Sequence, residues 1–178
     1  MAWATKRRRV KYFVAVSLDA YLAGPEGQVD WLFTDEDYGL EEFLSTVDTV
    51  LIGRKTYEFM LAHDQRAYPG LTNYVFSSTL QGREYPEVQM ISADVAQTVA
   101  QLRARKGKDI WLMGGGQLFK RLLLADAVDD VTVALHPILL GRGIPMLPEI
   151  GIATKLTLKK VTPYATGLIM LHYEVHES

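Results

Sequence analysis

Ile110-Trp111-Leu112-Met113-Gly114-Gly115-Gly116-Gln117-Leu118-Phe119 decides how this chain folds, because an apolar run of strand length passes through three glycines into an amphipathic helix. Glycines at such a junction leave backbone N–H groups pointing outward from a helix N-terminus, with no Cβ to hold a ligand away. A diphosphate is held in this way. A turn that needed one left-handed residue would be served by a single glycine, so three in a row favour a ligand-binding turn. Their spacing differs from the G-x-G-x-x-G of the commonest dinucleotide fingerprint, and the nucleotide site expected here is of another kind. Beyond the glycines, residues 117–124 turn Leu118, Phe119 and Leu122 inward and Lys120 and Arg121 outward, the pattern of a helix lying on a sheet.

A second strand, Thr49-Val50-Leu51-Ile52, runs into Gly53-Arg54-Lys55-Thr56-Tyr57-Glu58. Cations in a first helical turn sit against the positive end of the helix dipole, a placement that an anion would repair. Phosphate would accept from the helix N–H groups and the Thr56 hydroxyl, with charge-assisted bonds from Lys55 and, in bidentate geometry, from Arg54. Two glycine-led helix starts are therefore expected to hold two ends of one dinucleotide. A third strand, Asn73-Tyr74-Val75-Phe76, closes on Ser77-Ser78, hydroxyls placed for an adenosine-side phosphate and equally ordinary in a turn.

The 178 residues are 48% hydrophobic, enough for one sizeable core and short for two. A net charge of -2 supplies no basic field for nucleic acid or membrane. With no cysteine there is neither a disulfide, a thiolate metal site nor a cysteine nucleophile. Lys6-Arg7-Arg8-Arg9 lacks a following signal-type apolar region, so the chain is expected to be cytoplasmic, with residues 1–9 a solvated basic arm and 10–178 one domain. The four histidines form no metal set: His172 and His176 stand four apart on a terminal strand pattern, and no metal is expected.

Further strand-length runs are Val10 to Val16, Val128 to Leu135, Leu156 to Val161 and Leu168 to Tyr173. Asp94 to Lys106 aligns Val95, Val99 and Leu102 as a helix with basic residues in its last turn and Gly107 as its stop. Alternating strands and helices predict a mostly parallel sheet up to Val128, and the turn-rich 162–167 connection predicts an antiparallel hairpin at its edge. Ligands are expected beyond the carboxyl ends of the parallel strands.

These pieces in this order resemble the dihydrofolate reductase-like superfamily over nearly the whole chain. The resemblance is nearest to stand-alone relatives of the reductase domain of bacterial riboflavin-biosynthesis deaminase-reductases. It is carried by Val16-Ser17-Leu18-Asp19-Ala20-Tyr21-Leu22-Ala23-Gly24, by residues 52–58, by Asn73 to Ser78, by Met113-Gly114-Gly115-Gly116, and by Pro137-Ile138-Leu139-Leu140-Gly141-Arg142-Gly143. It implies a three-layer α/β/α fold with a mixed sheet, a homodimer, and NADPH-dependent hydride transfer to a small heterocycle. By the same resemblance Met113, Gly114, Gly115, Gly116, Gln117 and Leu118 form the pyrophosphate loop, with a cis peptide between Gly114 and Gly115. Gly53, Arg54, Lys55 and Thr56 take the 2′-phosphate and pyrophosphate, Ser77 and Ser78 the adenosine ribose, and Ala15 and Leu22 flank the nicotinamide.

The substrate side is expected to draw on Trp31, Met60, Phe119 and Arg142. Asp37 and Asp19 are the candidates for proton handling or substrate anchoring. Two assignments compete for each: Asp37 sits in an acidic helix start at residues 34–38, which the macrodipole favours, and Asp19 follows a strand where turn carboxylates bond nearby backbone. Residues 18–31, with Gly24, Pro25 and Gly27, are expected to form a lid over the cleft. Folate reductases place a tyrosine where this chain has Phe119 and a threonine where it has Ala134. Riboflavin-type reductases often carry a glutamate in or beside the glycine turn, where this chain has Gly114-Gly115-Gly116-Gln117, so neither family's substrate transfers whole. The primary expectation is a riboflavin-type pyrimidine reductase, with dihydrofolate reductase, or a dinucleotide-binding module without turnover, as the alternatives.

Overall fold

The computed structural model describes residues 7–80 and 85–176. Its strands are β1 (Val10–Ser17), β2 (Tyr21–Ala23), β3 (Val47–Gly53), β4 (Thr72–Phe76), β5 (Gln89–Ile91), β6 (Asp109–Gly114), β7 (Asp130–His136), β8 (Ile144–Pro145), β9 (Leu156–Pro163) and β10 (Ile169–Val175). The helices are α1 (Leu40–Ser45), α2 (Arg54–Ala62), α3 (Val95–Ala104) and α4 (Gly116–Leu123). Eight strands form the main sheet in the order β5-β4-β3-β6-β1-β7-β10-β9, while β2 and β8 pair separately. From β5 to β7 all neighbours are parallel, and β10 and β9 add the antiparallel hairpin. The chain lays β3, β4 and β5 to one side of β1, returns to fill the gap with β6, and finishes on the other side with β7. Winding therefore reverses at β1, where α/β sheets open a crevice beyond the strand ends.

Two apolar layers arise from the period-2 alternation of the central strands. On one face Tyr12, Val14 and Val16 meet Val95, Val99 and Leu102 of α3 and Leu118, Phe119 and Leu122 of α4. On the other, Val50, Ile52, Val75 and Trp111 meet Tyr57 and Met60 of α2, with Phe43 and Leu44 of α1 packed alongside. Strands β3 and β6, covered on both sides, read as near-continuous apolar runs for that reason. The result is the expected three layers. Asp94 caps α3 by accepting from the Gln97 N–H at 2.8 Å, whereas α2 and α4 begin on glycines that supply no side-chain cap.

Several expectations are corrected. The acidic 34–38 segment is not a helix start: Tyr38 and Gly39 have φ of 52° and 80°, and α1 begins at Leu40. Residues 18–31 are not loop throughout, because Tyr21–Ala23 within them forms β2 and pairs with β8. Of the basic arm, 1–6 lie outside the described residues, and Arg8 and Arg9 are tied to the body of the fold instead of solvated. Arg8 is only 6% exposed; it bonds the Lys108 carbonyl at 2.5 Å and the Thr49 hydroxyl at 2.7 Å, and pairs with Asp48. Arg9 holds Asp130 with Nε and Nη2, both at 2.8 Å.

Candidate functional site

The carboxyl ends of β4, β3, β6, β1 and β7 lie side by side, bringing Ser77, Gly53, Gly114, Ser17 and His136 to one edge of the sheet. At its middle the two glycine-led helix starts touch. A Cβ on Gly53 would lie 3.1 Å from the Gly115 nitrogen and 3.2 Å from the Gly114 oxygen, and one on Gly115 would lie 3.3 Å from Thr56 Oγ1. This is a cradle that side chains would fill. Neither α2 nor α4 carries an acidic residue in its first turn or a side-chain cap, so two N-termini aim free N–H groups at the same place. The Gly114–Gly115 peptide is cis.

The flanking residues divide by what already occupies them. Arg54 forms an i,i+4 pair with Glu58 at 3.0 Å, both about 40% exposed, and an anion can compete with such a pair because exposed pairs contribute only about 0.3–0.5 kcal/mol. Lys55 is exposed beside it. Ser77 is buried, and its hydroxyl accepts from the N–H groups of Thr79 and Leu80 at 3.2 and 3.0 Å, which builds the turn after β4; Ser78 is exposed. Gly116 is packed: a Cβ there would lie 2.9 Å from the Pro145 and Met146 carbonyl oxygens, so its bareness admits the 145–148 segment. Gln117 faces solvent, and Leu118 is core. Met113 packs half-buried against the α2 layer and Leu22 against the α4 layer; Ala15, half-buried, pairs with Ala134.

Two of the expected substrate residues are elsewhere. Phe119 is 3% exposed and stacks on Tyr12 at 3.8 Å, and Met60 is 3% exposed in the α2 layer. Each follows the apolar stripe of its helix inward, away from the edge. Trp31 does stand at the edge, its ring 5.1 Å from that of His136 and its Nε1 donating to the Gln28 carbonyl at 3.3 Å. Arg142 is exposed in the segment before β8.

Both acids are engaged with backbone. Asp37 is exposed and accepts from the Glu41 N–H at 3.0 and 3.3 Å. Asp19 accepts the Ser17 hydroxyl at 2.7 Å and the N–H groups of Leu140 and Gly141 at 3.1 and 2.7 Å. The Ser17 bond, helped by those two amides, holds the Asp19 carboxyl down at about 2. It is a fixed anion that ties residues 140–141 to the end of β1, and at neutral pH it has no proton to give.

The sequence, with His136 beside Pro137, ends a strand there, as β7 does, but assigns the histidine no part in the site. His136, 3% exposed, has Nδ1 3.0 Å from the Ala134 carbonyl and accepts at Nε2 from the Phe33 N–H at 3.3 Å. Trp31 and Phe33 cover its ring, and Phe33, Tyr38 and Tyr164 continue the aromatic wall. The available signal was a histidine ending a strand parallel to β1, directly beside Ser17. No group of His, Asp or Glu that could hold a metal ion occurs among the described residues.

A mostly parallel sheet closed by a hairpin, with two glycine-led helices converging at its carboxyl edge, is a dihydrofolate reductase-like architecture. The dihydrofolate reductase of Enterococcus faecalis, solved with NADP(H) and RAB-propyl, superposes with a TM-score of 0.64 over 94% of each chain at 22% identity. Residues 8–170 match the RibD C-terminal domain, and the chain belongs to that family. A Shewanella sp. PV-4 protein provisionally assigned to riboflavin biosynthesis superposes with a TM-score of 0.83 at 26% identity, covering 95% of this chain and 99% of its own. The Thermotoga maritima deaminase/5-amino-6-(5-phosphoribosylamino)uracil reductase does so with 0.73 at 16% identity, this chain spanning 57% of it. Among curated sequences, the uncharacterized YwjB of Bacillus subtilis is 35% identical over 170 residues, 93% of this chain and 97% of that protein. No helix among the described residues is long and apolar enough to cross a membrane.

Proposed function

We propose that this protein is an NADPH-dependent reductase acting on a small heterocycle, most like 5-amino-6-(5-phosphoribosylamino)uracil reductase. The observation that carries this reading is the contact between Gly53 and Gly114-Gly115, which sets two uncapped helix N-termini against one cradle. A pyrophosphate fits that cradle because it supplies the acceptors and negative charge that the helix ends lack. Arg54, Lys55 and Thr56 would hold the phosphates, and Arg54 would leave Glu58 for a 2′-phosphate dianion. The nicotinamide supplies a hydride when NADPH is bound. The chain's own residues orient and exclude water: Asp19 pins the 140–141 segment, and Trp31 and Phe33 wall the edge over His136. With Phe119 buried against Tyr12 and Ala134 in place of a hydroxyl residue, the structure adds nothing that favours folate.

The test is NADPH oxidation with a panel of amino-uracils, their ribityl phosphates and dihydrofolate. Turnover confined to the pyrimidines is the expected result. Efficient dihydrofolate reduction replaces this reading with the folate one, and tight NADPH binding without turnover of any substrate replaces it with a dinucleotide-binding module.

The partner proposed is a second copy of the chain, seated on the hairpin. By register Leu156, Leu158 and Val161 of β9 share a face with Ile169, Leu171, Tyr173 and Val175 of β10, and the three β9 residues are 43–50% exposed. One apolar face meeting itself is what a two-fold dimer requires.

A further inference from the structure

We propose that the cleft at the amino edge of the sheet, opposite the glycine cradle, is a second anion site that takes the phosphate group of a small phosphorylated ligand. The cleft encloses about 590 Å3, within the roughly 300–1,000 Å3 of small-molecule sites. One wall is alanine, from Ala96 and Ala100 on α3 to Ala125 and Ala127 ahead of β7, which leaves room where longer side chains would fill it. Around it stand four cations, Arg7, Arg103, Arg105 and Lys106, against a single lining carboxylate, Asp126.

Arg103 is the informative member. It is 5% exposed, and its Nη2 bonds both oxygens of Asp129 at 2.6 and 2.7 Å, while Nε and Nη1 find no partner among the described residues. A buried guanidinium with three of its five donors unused is costly, and native structures rarely leave such donors unmatched. Burial lowers its pKa; the charge of Asp129 opposes that, and Arg7 and Arg9 reinforce it. The side chains of Arg7, Arg105 and Lys106 likewise form no hydrogen bond or ion pair among the described residues.

The half-charge at the C-terminus of α3 attracts basic residues and accounts for one of these cations. It does not account for Arg7, which arrives from the start of the chain, nor for unpartnered buried donors. A phosphate dianion accounts for the cluster of cations, with Arg105, Lys106 and Arg7 at its oxygens, while Arg103, whose Nε and Nη1 are sealed from solvent, supplies charge beneath it. The exposed heads would close on it, while the alanine wall accepts the less polar body of the ligand.

Inorganic pyrophosphate is the probe, titrated calorimetrically into the wild type, Arg54→Ala and the double variant Arg105→Glu/Lys106→Glu, each with and without saturating NADPH. The expected result is binding that persists with NADPH present, survives Arg54→Ala, and weakens at least tenfold in the double variant, whose NADPH affinity is unchanged. Binding that NADPH abolishes, or that Arg54→Ala removes and the double variant keeps, places the anion at the glycine cradle and overturns the proposal. Absence of binding at millimolar pyrophosphate overturns it as well. Failure of NADPH to bind would remove the reductase reading alone, because the second site is judged from the double variant.

Discussion

At the scale of single residues the cradle separates glycines that serve the fold from glycines that serve a ligand. A Cβ on Gly53 meets backbone, the Gly115 nitrogen at 3.1 Å and the Gly114 oxygen at 3.2 Å, and backbone on a central strand gives way reluctantly. Gly53→Ala is therefore expected to lose about 1–3 kcal/mol of stability as an overpacked contact, together with NADPH affinity. Gly115→Ala meets only the Thr56 hydroxyl, at 3.3 Å, and is expected to unfold in urea near the wild-type midpoint while losing most NADPH binding. Equal NADPH affinity in Gly115→Ala and the wild type would show that nothing docks against this turn. Arg54 carries cofactor choice. NADPH is expected to bind more tightly than NADH, and Arg54→Ala to remove most of that difference, about 1.5–3 kcal/mol or roughly ten- to a hundredfold, since one charged hydrogen-bond partner of the 2′-phosphate is lost. Fluorescence titration of the two cofactors against both proteins measures it, and no preference in the wild type would end the 2′-phosphate argument.

At the scale of elements, the site is an edge held in register by what crosses it. Asp19 joins the end of β1 to residues 140–141, and the Met146 N–H donates to the Ala20 carbonyl at 3.0 Å, so the segment around β8 is fastened over β2 and Gly116. Asp19→Asn replaces an acceptor facing two amides by a group that presents one donor. Faster hydrogen exchange across 138–143 and a lower kcat/KM are expected. The pH–rate profile between about pH 5 and 9 should keep its shape, because a carboxyl held at about 2 stays ionised throughout. Loss of one limb of that profile would instead make Asp19 the proton donor. The same comparison of elements explains what the sequence disclosed. Long apolar strands and the glycine turns were legible, since burial on both faces and a strand-to-helix junction each leave a local pattern. Strands of two or three residues such as β2, β5 and β8 have no period to read, being made by pairing alone. Phe119 and Met60, expected at the substrate, lie in the core because their own helical spacing points them there. Arg8 was unreadable for another reason: its partners Asp48, Thr49 and Lys108 are at least 40 residues away, and a buried cation is spelled like a solvated one.

At the scale of the molecule, the sheet has two chemically different edges and one open face. The hairpin face, if it seats a second copy, should give a dimer by light scattering that Val161→Lys converts to monomer with the fold intact by circular dichroism; a wild-type monomer at micromolar concentration would refute the interface. The amino edge is tied by charge instead. Asp130, 5% exposed, pairs with Arg9 at 2.8 Å and His172 at 3.2 Å. Burial alone would raise its pKa, but the hydrogen bond and charge of Arg9, with His172 behind them, outweigh burial and leave it below the ordinary carboxylate value. A carboxyl with a depressed folded-state pKa stabilises fully above its unfolded value, about 3.9, and that contribution fades as pH falls through the folded value. Stability should therefore be level through the mildly acidic range and fall steeply below about pH 4. Asp130→Asn removes the charge while keeping the shape. Its cost at neutral pH is expected at about 1–3 kcal/mol, below the roughly 3–5 of a fully buried pair, because Arg9 stays 32% exposed and can be solvated. The difference between variant and wild type should then shrink as pH drops from about 5 to 3, since the wild type loses by protonation what the variant already lacks. Urea unfolding across that range reads the difference directly, and a gap that stays constant with pH would show that the Arg9–Asp130 pair is not what couples this fold to acid.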